Sequence, residues 1–237
     1  MPGGSDALAQ DLAESTAWRD LRVRVASAVV LAPLGLAALW LGGPVWNAMI
    51  VLLAAGMAWE WSAMCAKAQV RPLVRVLTGV AYIAPASVAL IWLRGGEAGR
   101  ADVLFVLLIV WASDIGAYLA GRLFGGPRLA PRISPGKTWS GAIGGLVAAA
   151  LVGVVAALLV PDARVLPAAL LAACLGIASQ TGDLLESALK RRFGVKDSGR
   201  LIPGHGGLLD RLDGMLLAAP LAALMALALG QSTVIWQ

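Results

Sequence analysis

The chain has 237 residues, of which 59% are hydrophobic and only 14% charged, and its mean hydropathy is +0.80. Water-soluble domains are closer to half apolar and a quarter charged, so this composition excludes a soluble globule. The formal net charge of +5 sits in short segments between apolar blocks, a distribution that argues against nucleic acid as a partner.

In chain order, residues 1–24 form a polar tail of mixed charge that ends in Arg19, Arg22 and Arg24. The tail resembles the charged region of a signal peptide, but no small-residue cleavage site follows, so the next apolar block is read as a retained span. Apolar blocks of about twenty residues cross a hydrocarbon core of roughly 30 Å as helices. Seven are expected, at 25–41, 44–66, 73–93, 102–121, 139–160, 165–188 and 209–230. Residues 25–237 are therefore expected to be one domain, an all-α polytopic transmembrane helix bundle. Internal glycines and prolines such as Pro33, Pro85, Gly144 and Gly176 are tolerated in lipid, where small residues allow close helix packing. Cys65 and Cys174 lie in apolar blocks, share no motif with His and imply neither a disulfide framework nor a zinc site.

Sixteen of the nineteen basic residues fall in alternate connections: before span one, between two and three, between four and five, and between six and seven. The other connections hold only Arg94, Arg100 and Arg164. The positive-inside rule then places the N-terminus in the cytosol and the C-terminus outside.

Six carboxylates stand within or at the cytosolic edge of spans: Glu60, Asp114, Asp183, Glu186, Asp210 and Asp213. One Asp at the centre of a lipid-facing helix costs roughly 2.5–3.5 kcal/mol. All six facing lipid would cost on the order of 15–20 kcal/mol, as much as a whole domain's net stability. They must face one another, a cation or water. Asp183, Glu186, Ser187 and Lys190 form one helical stripe, Asp210 and Asp213 a second, and Asp114, Tyr118 and Arg122 a third. Carboxylates and a hydroxyl beside Lys and Arg are what a metal–phosphate site needs, since Mg²⁺ takes hard oxygen ligands and Lys and Arg neutralise phosphate.

The stretch Ser187–Gly214, SALKRRFGVKDSGRLIPGHGGLLDRLDG, decides between site chemistries. It resembles the signature of the phosphatidate cytidylyltransferase (CDP-diacylglycerol synthase) family: Ser-x-x-Lys-Arg, Lys-Asp-x-Gly, Pro-x-His-Gly-Gly and Asp-Arg-x-Asp. Trp111–Gly125, Ser134–Gly141 and the AWEW around Glu60 look like three further blocks of that family. Bacterial members often carry an additional pair of spans between the second and third spans here, so this chain reads as a short version. PGKT at Pro135–Thr138 is not a P-loop, because the Gly required five positions before Gly136 is Pro131 and no strand precedes it.

The resemblance implies that CTP and phosphatidate give CDP-diacylglycerol and pyrophosphate at the cytosolic face of the plasma (inner) membrane. It implies a catalytic region over 183–214, with Asp183, Lys190, Asp210, Arg211 and Asp213 as catalytic residues. Asp183, Asp210, Asp213 and Asp114 are expected to ligate Mg²⁺, with a second cation and a homodimer left open. Lys137, Ser187, Arg191, Lys196, His205, Gly206 and Gly207 are expected to bind substrate. Glycines there let backbone amides approach phosphate, and a helix start at Lys137–Thr138 favours an anion. A CDP-alcohol phosphotransferase is disfavoured because Asp213-Gly214 is not followed by the Ala-Arg of that family's motif. A CTP-dependent polyprenol kinase and a cation-coupled transporter remain alternatives; the transporter leaves the Lys-, Arg- and Gly-rich loop unexplained.

Overall fold

The computed structural model describes residues 27, 29–199, 201–202, 206–229 and 234–236. Its elements are α1 (Val29–Leu41), α2 (Gly43–Lys67), α3 (Pro72–Gly95), α4 (Gly99–Phe124), β1 (Arg128–Ala130), β2 (Ser134–Thr138), α5 (Trp139–Leu159), α6 (Val165–Arg192) and α7 (Leu209–Leu229). Six helices, α2 to α7, are long and apolar enough to cross a membrane. With the shorter apolar α1 they make a polytopic all-α membrane bundle, as expected. The start of the first expected span and the polar tail, apart from Ser27, lie outside the described residues.

Two expectations shift. The connection between spans four and five is not a plain loop but an antiparallel two-stranded hairpin, with Arg128 opposite Thr138 and Ala130 opposite Ser134. Helix α6 runs to Arg192 rather than 188, because its last turn is basic and can leave the hydrocarbon while still helical.

Small residues set the packing. The buried face of α5 is Gly141, Gly145, Ala149, Gly153 and Ala157, one residue every four. A Cβ on Gly145 would stand 2.7 Å from both Ser113 O of α4 and Gln180 Nε2 of α6, and one on Gly116 would stand 2.7 Å from Gly144 O. Such backbone-to-backbone approach is how helices associate where lipid supplies no hydrophobic driving force. Gln180 uses it, donating to Ala142 O at 3.1 Å and to Ser113 Oγ at 3.3 Å. Three helices are thus tied at one level.

At one end of the bundle, Arg94 of α3 donates to Leu39 O (2.7 Å) and Trp40 O (3.3 Å), satisfying terminal carbonyls of α1. Arg100 stacks over Trp40 at 5.1 Å. At that same end Asp102 accepts from Ile235 N at 3.0 Å, and Trp236 packs on Phe105 at 4.3 Å. The opposite end carries the hairpin, the α2–α3 turn and the α6–α7 connection. Arg191 Nε donates to Ile133 O, joining α6 to the hairpin. Trp61 donates to Arg75 O at 3.1 Å and stacks with Tyr82 and Phe193, joining α2, α3 and the end of α6. This basic end holds the candidate site.

Candidate active site

A cleft of about 530 Å³ opens between α4, the hairpin, α5 and α6 at the basic end. Its walls carry Asp114, Tyr118 and Arg122 from α4, Lys137 from β2, and Gln180 and Asp183 from α6. The i, i+4, i+8 stripe on α4 therefore faces one space, and Arg122 Nη1 donates to Tyr118 Oη at 2.8 Å. Lys137 forms an ion pair with Asp183 across the cleft. Thr138 caps α5, its Oγ1 accepting from Gly141 N at 3.1 Å. One N–H of that helix start is therefore already occupied.

Asp183 follows Gly182, the residue at which α6 packs on the Asp213 backbone of α7, so the cleft wall and α7 adjoin there. Ser187 Oγ donates to Asp183 Oδ1 at 3.4 Å, one turn along α6. Helix α7 comes this close because Gly182 and Gly214 face each other across the contact: a Cβ on Gly182 would meet Asp213 O at 2.5 Å, and one on Gly214 would meet Ser179 Oγ. Asp114, Asp183, Asp213, Ser187 and Lys137 are thus brought together by four elements.

Lys190 and Asp210 form a second group. Lys190 Nζ lies 2.6 Å from Asp210 Oδ1 and 3.4 Å from Glu186 Oε1, the latter pair being one helical turn apart. Asp210 also accepts from Ser198 N (3.0 Å), Ser198 Oγ (2.9 Å) and Gly207 N (3.1 Å). Glu60 of α2, only 2% exposed, accepts from Leu209 N (3.0 Å), Ser198 Oγ (3.2 Å) and Leu201 N (3.4 Å). A buried carboxylate, Glu60, and a half-buried one, Asp210, on different helices therefore hold the α6–α7 connection from both sides. Gly206 sits at φ +87°, and a Cβ on Gly207 would collide with Ser198 Oγ, so this turn accepts glycine at both positions.

Of the expected phosphate-binding residues, Arg191, Lys196 and Arg211 are exposed at the basic end rather than inside the cleft. His205 lies outside the described residues. Gln180, Ser198 and Tyr82 escaped the sequence reading. Gln180 had a signal, an amide in the middle of an apolar run; Ser198 and Tyr82 had none, since their roles depend on partners 12 to 138 residues away.

The oxygen donors fit a hard divalent cation. Beside Asp213 the buried Tyr82 Oη, Ser179 Oγ and Glu186 Oε2 have no hydrogen-bond partner, although buried polar groups are nearly always paired. Among the described residues no three His, Cys, Asp or Glu side chains converge at ligating distance. Mg²⁺ does not require that, because it keeps several waters and binds through one or two carboxylates plus substrate phosphates.

The sequence model of the cytidylyltransferase family matches residues 68–229. A Brucella suis protein named phosphatidate cytidylyltransferase is 37% identical over 247 positions, covering 85% of this chain and 92% of its own. That alignment is longer than this chain, so the relative carries sequence with no counterpart here. A Rickettsia bellii protein of the same name is 35% identical over 227 positions, covering 92% of this chain and 94% of its own. A Haemophilus influenzae protein, again of that name, is 46% identical over 123 positions, half of this chain. The family match spans α3 to α7, and so every wall of the cleft and both residue groups: the chain belongs to the cytidylyltransferase family.

Proposed function

We propose that this membrane enzyme transfers the cytidylyl group of CTP to phosphatidate, forming CDP-diacylglycerol and pyrophosphate, at the cytosolic side of the membrane. The observation that carries the reading is the cleft itself. Two carboxylates and two cations, Asp114, Asp183, Lys137 and Arg122, line one cleft within helices whose outer faces are apolar.

A phosphatidate oxygen attacks the α-phosphorus of CTP. The new P–O bond forms as the bond to the β-phosphoryl oxygen breaks, and its electron pair leaves with pyrophosphate. A phosphate monoester has a second pKa near 6 and is already largely ionised at pH 7, so neither a protein nucleophile nor a strong base is required. The barrier is repulsion between two polyanions. Lys137 and Lys190 are placed to offset it, each paired with a carboxylate at the site. Asp183 and Asp213, with Asp114 and the Ser187 hydroxyl beside them, are the residues that would hold Mg²⁺. The ion supplies charge neutralisation and orients the triphosphate. Asp210 has a structural duty as well, because its hydrogen bonds fix the loop that carries Lys196, Gly206 and Gly207.

The test is an assay in detergent–lipid micelles with α-labelled CTP, phosphatidate and Mg²⁺. Labelled CDP-diacylglycerol from the wild type is expected, lost with EDTA and reduced at least a hundredfold by Asp183→Asn or Asp213→Asn, the scale of a lost electrostatic contact in a catalytic site. A folded wild type that makes no labelled lipid from phosphatidate, but phosphorylates a polyprenol with CTP, would overturn the reading.

A further inference from the structure

Two polyanionic substrates must reach one centre, and the bundle offers them unlike approaches. Resting on the phosphatidate reading above, we infer that Tyr118 and Arg122 form the subsite for the lipid's phosphomonoester head. The acyl chains lie along the exposed face of α4.

An amphiphilic substrate needs a polar pocket whose rim continues into lipid-facing surface. The cleft has such a rim. Tyr118 is 61% exposed, and the adjoining face of α4 presents Ile115 at 60%, Leu119 at 50% and Leu123 at 76%. By contrast, the Lys190–Asp210 group is enclosed, with Lys190 only 15% exposed and Ser198 and Glu60 below that. No comparable apolar track leads to it among the described residues.

Charge points the same way. Lys137 is already paired with Asp183, whereas Arg122 meets a neutral phenol and, among the described residues, no carboxylate. A guanidinium presents five donors in a planar fork, which suits the oxygens of a phosphate dianion better than a lone ammonium does. The Tyr118 hydrogen bond holds that fork along the helix toward the cleft. Arg122 stands eight residues beyond Asp114, about 12 Å nearer the helix end, a depth suited to a headgroup. Tyr118 lies one turn, about 5–6 Å, from Asp114. A phosphate seated between Tyr118 and Arg122 would thus lie next to the carboxylates while its glycerol and chains remain outside.

Exposed Tyr and Arg at a span end often serve only as interfacial anchors. Two experiments on the full chain separate that role from a substrate site. In steady-state assays, Arg122→Ala is expected to raise the KM for phosphatidate about tenfold to a hundredfold, the scale of a lost charge-assisted hydrogen bond. The KM for CTP stays within about twofold, Arg122→Lys recovers part of the loss, and Tyr118→Phe gives a smaller change in the same direction. A rise in the CTP KM of equal size, or an unchanged phosphatidate KM, would overturn the inference. The second experiment needs no turnover. A phosphatidate with a diazirine in one acyl chain should cross-link to Ile115–Phe124, and unlabelled phosphatidate should compete for that labelling. Equal labelling by the matching phosphatidylcholine probe, or labelling confined to other helices, would also sink it. Selective labelling of α4 in a wild type that makes no CDP-diacylglycerol would sustain the lipid subsite and remove the reaction.

Discussion

Glu60 shows what a carboxylate in a span can be for when it is not placed at the chemistry. It is buried, it accepts from two backbone amides and one hydroxyl of the α6–α7 connection, and no cation pairs with it among the described residues. Replacing it by Ala leaves two backbone donors, Leu209 N and Leu201 N, without an acceptor in a water-poor site, at about 1–3 kcal/mol for each one that finds no substitute, while Ser198 Oγ keeps Asp210. Glu60→Ala is expected to lower the Tm by several degrees and to speed hydrogen exchange at Leu209 and Leu201, with Glu60→Gln intermediate. Asp114→Asn is expected to lower activity while leaving that exchange unchanged, because Asp114 touches the cleft and not the loop. Intact exchange protection in a folded Glu60→Ala protein would refute the clamp. Carboxylates were the residues most legible in the sequence, since ionised groups in lipid carry a penalty that demands an explanation. The sequence set Asp114 with the expected metal ligands and left Glu60 and Glu186 as structural or supporting groups, but what Glu60 clamps was not legible, because its partners lie 138 to 149 residues away. Ser198 and Tyr82 carry no such penalty and became visible only through their neighbours.

At the scale of the element, α5 shows how far packing depends on missing side chains. The stripe from Gly141 to Ala157 lets α4 and α6 approach on its two flanks, and the Gln180 bridge to Ser113 and Ala142 forms only at that separation. Gly145→Val should therefore force the helices apart, lower the Tm markedly and shift the protein toward aggregates on size exclusion. Gly35→Ala makes the matched control. A Cβ there meets nothing within 4 Å, so stability is expected to stay constant or rise by up to about 1 kcal/mol through helix propensity. Equal losses in both variants would mean that the stripe does no more than any helical glycine. The spans themselves were legible to within a few residues because hydrocarbon thickness dictates their length. The hairpin was not. Its strands are three and five residues long, and Ser134–Thr138 (SPGKT) lacks the alternating pattern of an amphipathic strand. It is held in place by α6 and the start of α5, through Arg191 Nε donating to Ile133 O at its turn and Trp139 N to Pro127 O at its base, a tertiary cause with no local mark.

Over the whole molecule, charge and chemistry share an end. The three basic residues outside the crowded connections are Arg94, Arg100 and Arg164, and two of them work locally at the far end, Arg94 on the carbonyls of α1 and Arg100 on Trp40. The remaining sixteen, so far as they lie among the described residues, gather around the cleft and the α6–α7 connection. Basic connections resist translocation across the membrane, and CTP is a cytosolic anion, so both arguments support the proposed placement of the cleft at the cytosolic side. The orientation can be read directly in sealed vesicles of a Cys65→Ala, Cys174→Ala background. Cysteine introduced at Lys196, an exposed site on the basic connection, should react with an impermeant maleimide only when the cytosolic face is outward. Cysteine at Asp162, in the exposed α5–α6 turn, should react only in vesicles of the opposite sense. Reaction of both from one face would mean that α6 does not cross the membrane. Exchange of the two results would put the carboxylates and cations of the cleft on the side without CTP, and no cytidylyl transfer could then proceed in the cell from the site described.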